Sequence, residues 1–192
     1  DYRPMRPTIT QLMTEPVYKK LKGVRMKGEF TLKGHKEKGE LLFTDYGISG
    51  IAVMVLSRYA CPGDKIICDF YPEFTDQELH SIIRTLKTMS GPYDGLVHPK
   101  LVPILENKKN PVSFLKHLEF TVKALRGEEF AQADCGGLMI SNFDQSFEFI
   151  RYPHLYATGE ILDITGDCGG YNIHFALASA YSVFEEVSKT IQ

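Results

Sequence analysis

The sequence predicts an α+β fold, a small antiparallel β-barrel or sandwich with a helical insertion, followed by a strand–loop–helix unit. Apolar and polar residues alternate with a period of two in residues 17–74 and 118–134, as in half-buried antiparallel strands. Residues 75–117 instead show helical spacing. A glycine-rich loop then precedes a long helix with an apolar stripe. We therefore expect a β-domain of residues 1–74 and 118–134, the helical insertion 75–117, and a C-terminal portion, 135–192.

The N-terminal segment is predicted to be an extended connection. Three prolines interrupt residues 1–16, which show little periodicity, and proline is unfavourable inside a helix. Alternation begins at residues 24–32, and residues 40–44 are predicted to return as a second strand. The lysine-rich segment 33–39 between them is predicted to be a hairpin loop.

The apolar run Ile51–Leu56 is short enough for a strand, but helix start and stop signals frame it. Ser49 precedes it and Cys61-Pro62-Gly63 follows it, so a helix of about three turns is the preferred interpretation. Farther on, Thr75 and Glu78 have the spacing of a capping box at the start of a longer helix.

Two further strands are expected around the helical insertion. Residues 65–71 form one before it, and residues 118–123 alternate in the same way after it. A turn then leads to residues 130–135, which are predicted to return antiparallel to the strand that precedes them.

Composition limits the function classes. The hydrophobic share of 43% and the charged share of 24% are typical of a soluble globular protein, and no apolar run approaches the ~18 residues of a membrane span. The four cysteines form no C-x-x-C pair, which indicates reduced thiols and a cytoplasmic protein. The six histidines have no metal-site spacing, so no metal is expected.

Positive charge is concentrated at the start of the chain. Residues 1–39 hold ten Lys and Arg against four Asp and Glu, whereas residues 40–192 hold twelve against twenty. These lysines fall in predicted turns and at alternate strand positions, where solvated side chains are usual. We therefore expect neither a nucleic acid nor a membrane as a partner.

The C-terminal stretch carries the clearest candidate site. Residues 155–157 are predicted to form a short buried strand, with Glu160 where the strand leaves the sheet. Gly169 and its neighbours permit a sharp turn before a helix that starts after Asn172. A carboxylate facing a helix N-terminus suits a ligand with hydroxyls at one point and a carbonyl or anionic oxygen at another. From the pattern alone, an ordinary glycine-rich connection is slightly favoured over a site.

Residues 155–172 read Leu-Tyr-Ala-Thr-Gly-Glu-Ile-Leu-Asp-Ile-Thr-Gly-Asp-Cys-Gly-Gly-Tyr-Asn. This segment resembles the C-terminal flavin-binding signature of bacterial NAD(P)/FAD-dependent oxidoreductases, a family that includes aminoacetone oxidases and bile-acid-intermediate reductases. Leu-Leu-Phe-Thr and Gly-Ile-Ser-Gly within residues 41–50 are similar to the same family. Asp45 and Ile51 stand where the family usually has His and Pro, and residues 147–150 lack its Ser-Lys pair.

The resemblance implies that the C-terminal portion completes a two-dinucleotide-binding-type FAD domain. Glu160 would bond a ribityl hydroxyl, and the backbone of residues 169–172 would approach the pyrimidine edge of the flavin. The implied cofactor-binding residues are Glu160, Asp167, Gly169, Gly170, Tyr171 and Asn172. Asp167 is equally suited to turn formation, and the catalytic residues stay unknown.

The dinucleotide motif Gly-x-Gly-x-x-Gly is absent from the sequence. In the family it lies in a segment before the part matched here, so we expect a fragment of an FAD-dependent oxidoreductase that uses a small organic substrate and NAD(P)H or another acceptor. Alone, the fragment would be inactive and bind FAD weakly or not at all. Its partner would be the missing N-terminal FAD-binding segment, and an apolar surface around residues 136–160 would favour homo-oligomers. The alternative is a non-catalytic interaction module that has lost flavin.

Overall fold

The computed structural model describes residues 1–190. These residues divide into two compact units. The barrel unit is Gln11–Leu125, and the terminal unit combines Asp1–Thr10 with the chain from Arg126 onward. Residues 75–117, predicted as a separate insertion, lie in the same compact unit as the barrel strands, and residues 1–10 and 126–134 lie outside it.

The described residues contain eight strands and five α-helices. The strands are β1 (Tyr2–Thr8), β2 (Leu12–Glu15), β3 (Arg25–Leu32), β4 (His35–Phe43), β5 (Gly47–Ser49), β6 (Lys65–Asp69), β7 (Leu118–Leu125) and β8 (Ala133–Leu138). The helices are α1 (Ile51–Leu56), α2 (Asp76–Met89), α3 (Val102–Glu106), α4 (Pro111–Lys116) and α5 (Tyr171–Thr190).

Six antiparallel strands close into a barrel in the order β2-β5-β4-β3-β6-β7. The barrel closes because β2 pairs with β5 on one side and with β7 on the other. Inward side chains, among them Phe30, Phe43 and Phe120, are fully buried in a continuous core. The α+β prediction is confirmed, and of its two alternatives the structure has the barrel.

The hairpin between β3 and β4 has a two-residue turn. Lys33 and Gly34 both have positive φ angles, 50° and 84°, which match the right-handed twist of the flanking strands. The predicted loop 33–39 is therefore wrong beyond residue 34. Leu32 pairs directly with His35, and the charged residues that follow belong to the β4 ladder.

Two predictions in the helical region are confirmed. Residues Ile51–Leu56 form helix α1 as predicted, but its six residues are shorter than the three turns expected, and the 3₁₀ turn Ser57–Tyr59 continues it. The capping box at α2 is present, with Glu78 N–H donating to Thr75 Oγ1 at 3.2 Å and Thr75 N–H donating to Glu78 Oε2 at 2.7 Å. Among the residues of α2, Leu79 is fully buried and Ile83 is partly buried against the core, so these two side chains anchor the helix.

The terminal unit contains a two-stranded antiparallel ribbon of β1 and β8. The N-terminal segment is thus a strand rather than an extended connection, and residues 133–138 pair with β1 instead of β7. Pro4 lies where the register shifts between Arg3 and Arg6, an irregularity at which a missing N–H is tolerated. The strand predicted at residues 155–157 is also wrong, because only an isolated bridge between Glu148 and Tyr156 forms there.

Helix α5 leaves part of its apolar stripe uncovered. The α5 apolar face consists of Ile173, Leu177, Tyr181 and Phe184, which are 71%, 68%, 61% and 65% exposed. Ser179, on another side of the helix, is buried, and its Oγ accepts a hydrogen bond from Gly159 N–H at 3.0 Å. No described helix is long and apolar enough to cross a membrane.

Candidate functional site

The loop before α5 is held in a fixed shape by the side chain of Asn172. Gly166 N–H donates to Asn172 Oδ1 at 2.7 Å, and Asn172 Nδ2 donates to Gly166 O at 3.3 Å. Gly169 and Gly170 have φ angles of 130° and 95°, which other residues rarely adopt. The helix proper begins where His174 N–H donates to Gly170 O at 2.9 Å.

A small cavity of about 310 Å³ opens beside this loop. Its lining residues are Ile9, Gln132, Asp167, Cys168, Gly169, Gly170, Asn172 and Ile173. Four of the six residues predicted from the sequence therefore lie together. Tyr171 does not line the cavity and is 64% exposed, and Glu160 lies outside the lining.

Four lining residues were not among the predicted cofactor-binding residues, Ile9, Gln132, Cys168 and Ile173, and the first two come from outside the C-terminal stretch. Ile9 is fully buried with φ at 48°, an unusual conformation for a β-branched residue. Gln132 accepts a hydrogen bond from Cys168 Sγ at 3.1 Å through Oε1, and its N–H donates to Ile9 O at 3.3 Å. Both reach the cavity because β1 pairs with β8, a long-range pairing that gives no local sequence signal.

Glu160 lies in the 3₁₀ turn Gly159–Ile161, not at the end of a strand. Its Oε1 accepts a hydrogen bond from Asp134 N–H at 2.8 Å and so joins this turn to β8. Among the described residues, Oε2 has no protein partner. The carboxylate therefore has one structural contact and one oxygen that a ligand hydroxyl can reach.

Residues 147–150 organise a neighbouring segment instead of reproducing the family's Ser-Lys pair. Glu148 accepts hydrogen bonds from His154 N–H at 2.7 Å and from Tyr156 Oη at 3.1 Å. Burial, and after it this hydrogen bond, raises the pKa of the Tyr156 hydroxyl. These contacts explain Glu148 as a structural residue.

The backbone of the loop is open at Gly170. A Cβ built on Gly170 would meet nothing within 4 Å, so the backbone there is open to a planar group. The first N–H groups of α5 lack intrahelical acceptors, and the helix dipole makes this end mildly positive. When FAD is bound, Glu160 Oε2 and the backbone of Gly169–Asn172 would be the residues that hold it.

Comparison with known proteins gives the family. Residues 6–126 match the model of the HI0933-like protein barrel and H2TH domain. The chain belongs to this family. Its members are FAD-dependent oxidoreductases, which confirms the resemblance found in the sequence.

Three curated relatives are similar to the chain. A ribosomal RNA dihydrouridine synthase of Haemophilus influenzae is 30% identical over 180 residues, 82% of this chain and 44% of the relative. A 3-dehydro-bile acid delta(4,6)-reductase of Clostridium scindens is 28% identical over 214 residues, 93% of this chain and 52% of the relative. A ribosomal RNA dihydrouridine synthase of Escherichia coli is 28% identical over 171 residues, 77% and 42% respectively. The chain spans about half the length of these relatives.

Proposed function

We propose that this HI0933-like chain is part of a cytoplasmic FAD-dependent oxidoreductase that passes hydride between NAD(P)H, or another acceptor, and an organic substrate. The loop at Gly169–Asn172 carries the proposal, because it combines an open glycine backbone with a helix N-terminus in a family of FAD-dependent enzymes. The four cysteines are free thiols, which supports a reducing compartment.

The names of the relatives suggest which bond is reduced. Dihydrouridine is uridine with its C5–C6 double bond reduced. A delta(4,6)-reductase of a 3-oxo steroid acts on double bonds that are conjugated with the ketone. We propose that the substrate is a carbonyl compound with a conjugated double bond. Bound FAD, once reduced by NAD(P)H, would supply hydride for the β-carbon, and a proton would be added at the α-carbon.

Two substrate classes contain a carbonyl conjugated with a double bond. One is a small free molecule, and the other is a uracil base within RNA. The family resemblance of the C-terminal stretch favours the small molecule. Two of the three relatives above are named for ribosomal RNA, and this observation favours the RNA base as the second candidate.

The chain's own contribution would be to bind and orient the cofactor. Glu160 would accept a hydrogen bond from a ribityl hydroxyl through Oε2, while Oε1 keeps its contact with Asp134. A separate N-terminal FAD-binding segment would supply the pyrophosphate site, so we expect the chain by itself to bind FAD weakly and to be inactive.

Replacing Gly170 with Ala tests the proposal in the full-length protein. The new methyl group would occupy the open face of the loop, so FAD affinity should fall at least tenfold while the protein still folds. Gly63→Ala is the matched control, because Gly63 also has a φ near 94° and open space around it but lies in the barrel unit. Both substitutions should cost about 1 kcal/mol of stability, measured by urea unfolding, and only Gly170→Ala should weaken FAD binding, measured by fluorescence titration.

The alternative function, an interaction module without flavin, has its own signature. A full-length protein that is colourless and cannot be reconstituted with FAD would support the module and exclude the oxidoreductase. A yellow protein whose absorbance bleaches on addition of NAD(P)H supports the oxidoreductase.

A further inference from the structure

A groove on the barrel unit collects lysines from two separate segments. We call it the lysine groove. It has a volume of about 610 Å³ and is lined by Val17, Tyr18, Lys19, Lys20, Lys100, Pro103, Ile104 and Asn107. No carboxylate lines it. The 3₁₀ turns Lys19–Leu21 and Pro99–Leu101 bring the lysines together, and Lys100 Nζ donates to Lys22 O at 3.4 Å.

Lysines on the barrel strands are in a different situation. Lys36 pairs with Glu29 at 2.8 Å, and Lys65 and Lys123 each pair with a glutamate at 2.7 Å. Across residues 1–190, by contrast, Lys19, Lys20 and Lys100 have no carboxylate within 4.0 Å. The charges of these three strand lysines are therefore compensated within the fold, whereas the positive charge of the lysine groove is not.

A larger groove on the barrel unit has a different charge distribution. It has a volume of about 730 Å³, and its charged lining residues are three basic and three acidic, Arg25, Lys27, Lys38, Glu37, Glu40 and Glu73. Opposite charges compensate each other there, so it offers no net attraction to a polyanion. Of the two grooves, only the lysine groove presents charges of a single sign next to apolar side chains.

The net charge of the whole barrel unit also favours binding of a polyanion. The barrel unit holds seventeen Lys and Arg against thirteen Asp and Glu, whereas the terminal unit holds five against eleven. An extended polyanion would consequently be attracted to the barrel unit and repelled by the terminal unit.

We propose that the lysine groove binds the phosphate backbone of an RNA substrate. Three unpaired ammonium groups suit successive phosphates, and the apolar side chains of Tyr18, Pro103 and Ile104 offer contact area for sugars and bases. The choice of RNA among polyanions rests on the proposed function, in which a uracil base is one of the two substrate classes. This proposal departs from our expectation, from sequence, of no nucleic-acid partner.

The test compares two triple variants of the full-length, FAD-loaded protein. Lys19→Gln, Lys20→Gln and Lys100→Gln remove the charges of the groove. The control, Lys36→Gln, Lys65→Gln and Lys123→Gln, removes the same number of charges from exposed ion pairs, which contribute little to stability. Both variants should unfold within a few degrees of the parent protein.

Binding is measured by fluorescence anisotropy with a labelled single-stranded RNA of about 20 nucleotides at several salt concentrations. The groove variant should lose at least tenfold in affinity, and its slope of log affinity against log salt should be shallower by about 2, as expected for three lost phosphate contacts on a single strand. The control should change less than threefold. Equal losses in both variants, or unchanged binding by the groove variant, would overturn the proposal.

Two further measurements separate the possible failures. Binding to phosphatidylglycerol vesicles through the same lysines, without RNA binding, would assign the groove to a lipid surface and overturn the proposal. NAD(P)H-dependent reduction of a free unsaturated ketone should be equal in the parent and groove variants. If RNA binds through the lysines but no double bond is reduced, the proposed reaction is wrong and the groove assignment stands. If the ketone is reduced but RNA does not bind, the proposed reaction stands and the groove assignment is wrong.

Discussion

At the scale of single residues, side chains of the candidate site make hydrogen bonds within the protein that fix the shape of the loop. Asn172 bridges Gly166 through both atoms of its amide, and Glu160 joins its turn to β8 through Asp134. A role toward flavin has to be separated from these structural contacts. Substitutions that preserve the internal hydrogen bond make this separation.

Glu160→Gln should weaken FAD binding without unfolding the protein. The glutamine oxygen can still accept the hydrogen bond from Asp134 N–H, so the free energy of unfolding should change by less than about 0.5 kcal/mol. Loss of the charged acceptor for a ribityl hydroxyl should lower FAD affinity by about tenfold, which corresponds to about 1.4 kcal/mol. Calorimetric FAD titration of the full-length protein measures the affinity.

Glu148→Gln is the control for this substitution, because Glu148 also accepts a backbone N–H, from His154, but its second oxygen is already bonded to Tyr156 Oη. It should leave FAD affinity unchanged. If both substitutions lower the affinity equally, Glu160 has no specific role toward the cofactor.

At the scale of elements, the end of β6 is tied to the helical region by polar contacts. Lys116 Nζ on α4 donates to Asp69 Oδ2 at 2.9 Å and to Tyr71 O at 2.6 Å. The hydroxyl of Tyr71 donates to Leu96 O, beyond α2. These bonds add polar contacts to the buried apolar side chains that position the helices on the barrel.

The Tyr71 contact makes stability depend on pH in the alkaline range. Burial, and secondarily the charge of Glu73, raises the pKa of Tyr71 to about 12. An unfolded tyrosine loses its proton near pH 10, so between about pH 10 and pH 12 the unfolded state binds fewer protons than the folded state. The contribution of Tyr71 to the free energy of unfolding should therefore be fully present below pH 10 and be lost as the pH rises through this window.

In the Tyr71→Phe variant, the free energy of unfolding should fall less steeply with pH than in the parent protein. Urea unfolding at about pH 9, 10 and 11, chosen from the pKa window, measures this dependence. Tyr2→Phe removes a hydroxyl from a side chain that is 73% exposed and serves as the control. An unchanged slope in Tyr71→Phe would show that other groups cause the alkaline destabilisation.

Local sequence signals predicted the elements better than their pairing. The start of α2, the helix at Ile51–Leu56 and the β3 alternation are each encoded by neighbouring residues, and all are present. The partner of residues 133–138 is β1, more than 120 residues away in the chain, and alternation carries no information about which strand is adjacent. The same reason explains why Gly169–Asn172 could be chosen from the sequence, whereas Ile9 and Gln132 could not.

At the scale of the molecule, apolar surface is concentrated in the terminal unit. The α5 apolar face is accompanied by exposed Ile150, Tyr152 and Leu155, within the region 136–160 where the sequence analysis expected such a surface. Contiguous exposed apolar residues favour association with another protein surface.

The chain of 192 residues should therefore self-associate as its concentration rises, which sedimentation velocity measures. Leu177→Lys combined with Phe184→Lys should shift it toward monomer, because both changes place charge on the α5 apolar face. Ala178→Lys adds charge at an exposed position of the same helix without removing a large apolar side chain and should have a smaller effect. A chain that stays monomeric at all concentrations contradicts this prediction.

The barrel has its first and last strands side by side. Leu12 on β2 pairs with Leu125 on β7, and Thr10 Oγ1 donates to Arg126 O at 3.2 Å. The chain therefore leaves the terminal unit and returns to it at adjacent points, the geometry in which domain insertions are tolerated. A short turn joining Thr10 to Arg126 would make β1 and β8 the two arms of a simple hairpin. The barrel can thus be exchanged for another inserted domain without interrupting the loop before α5.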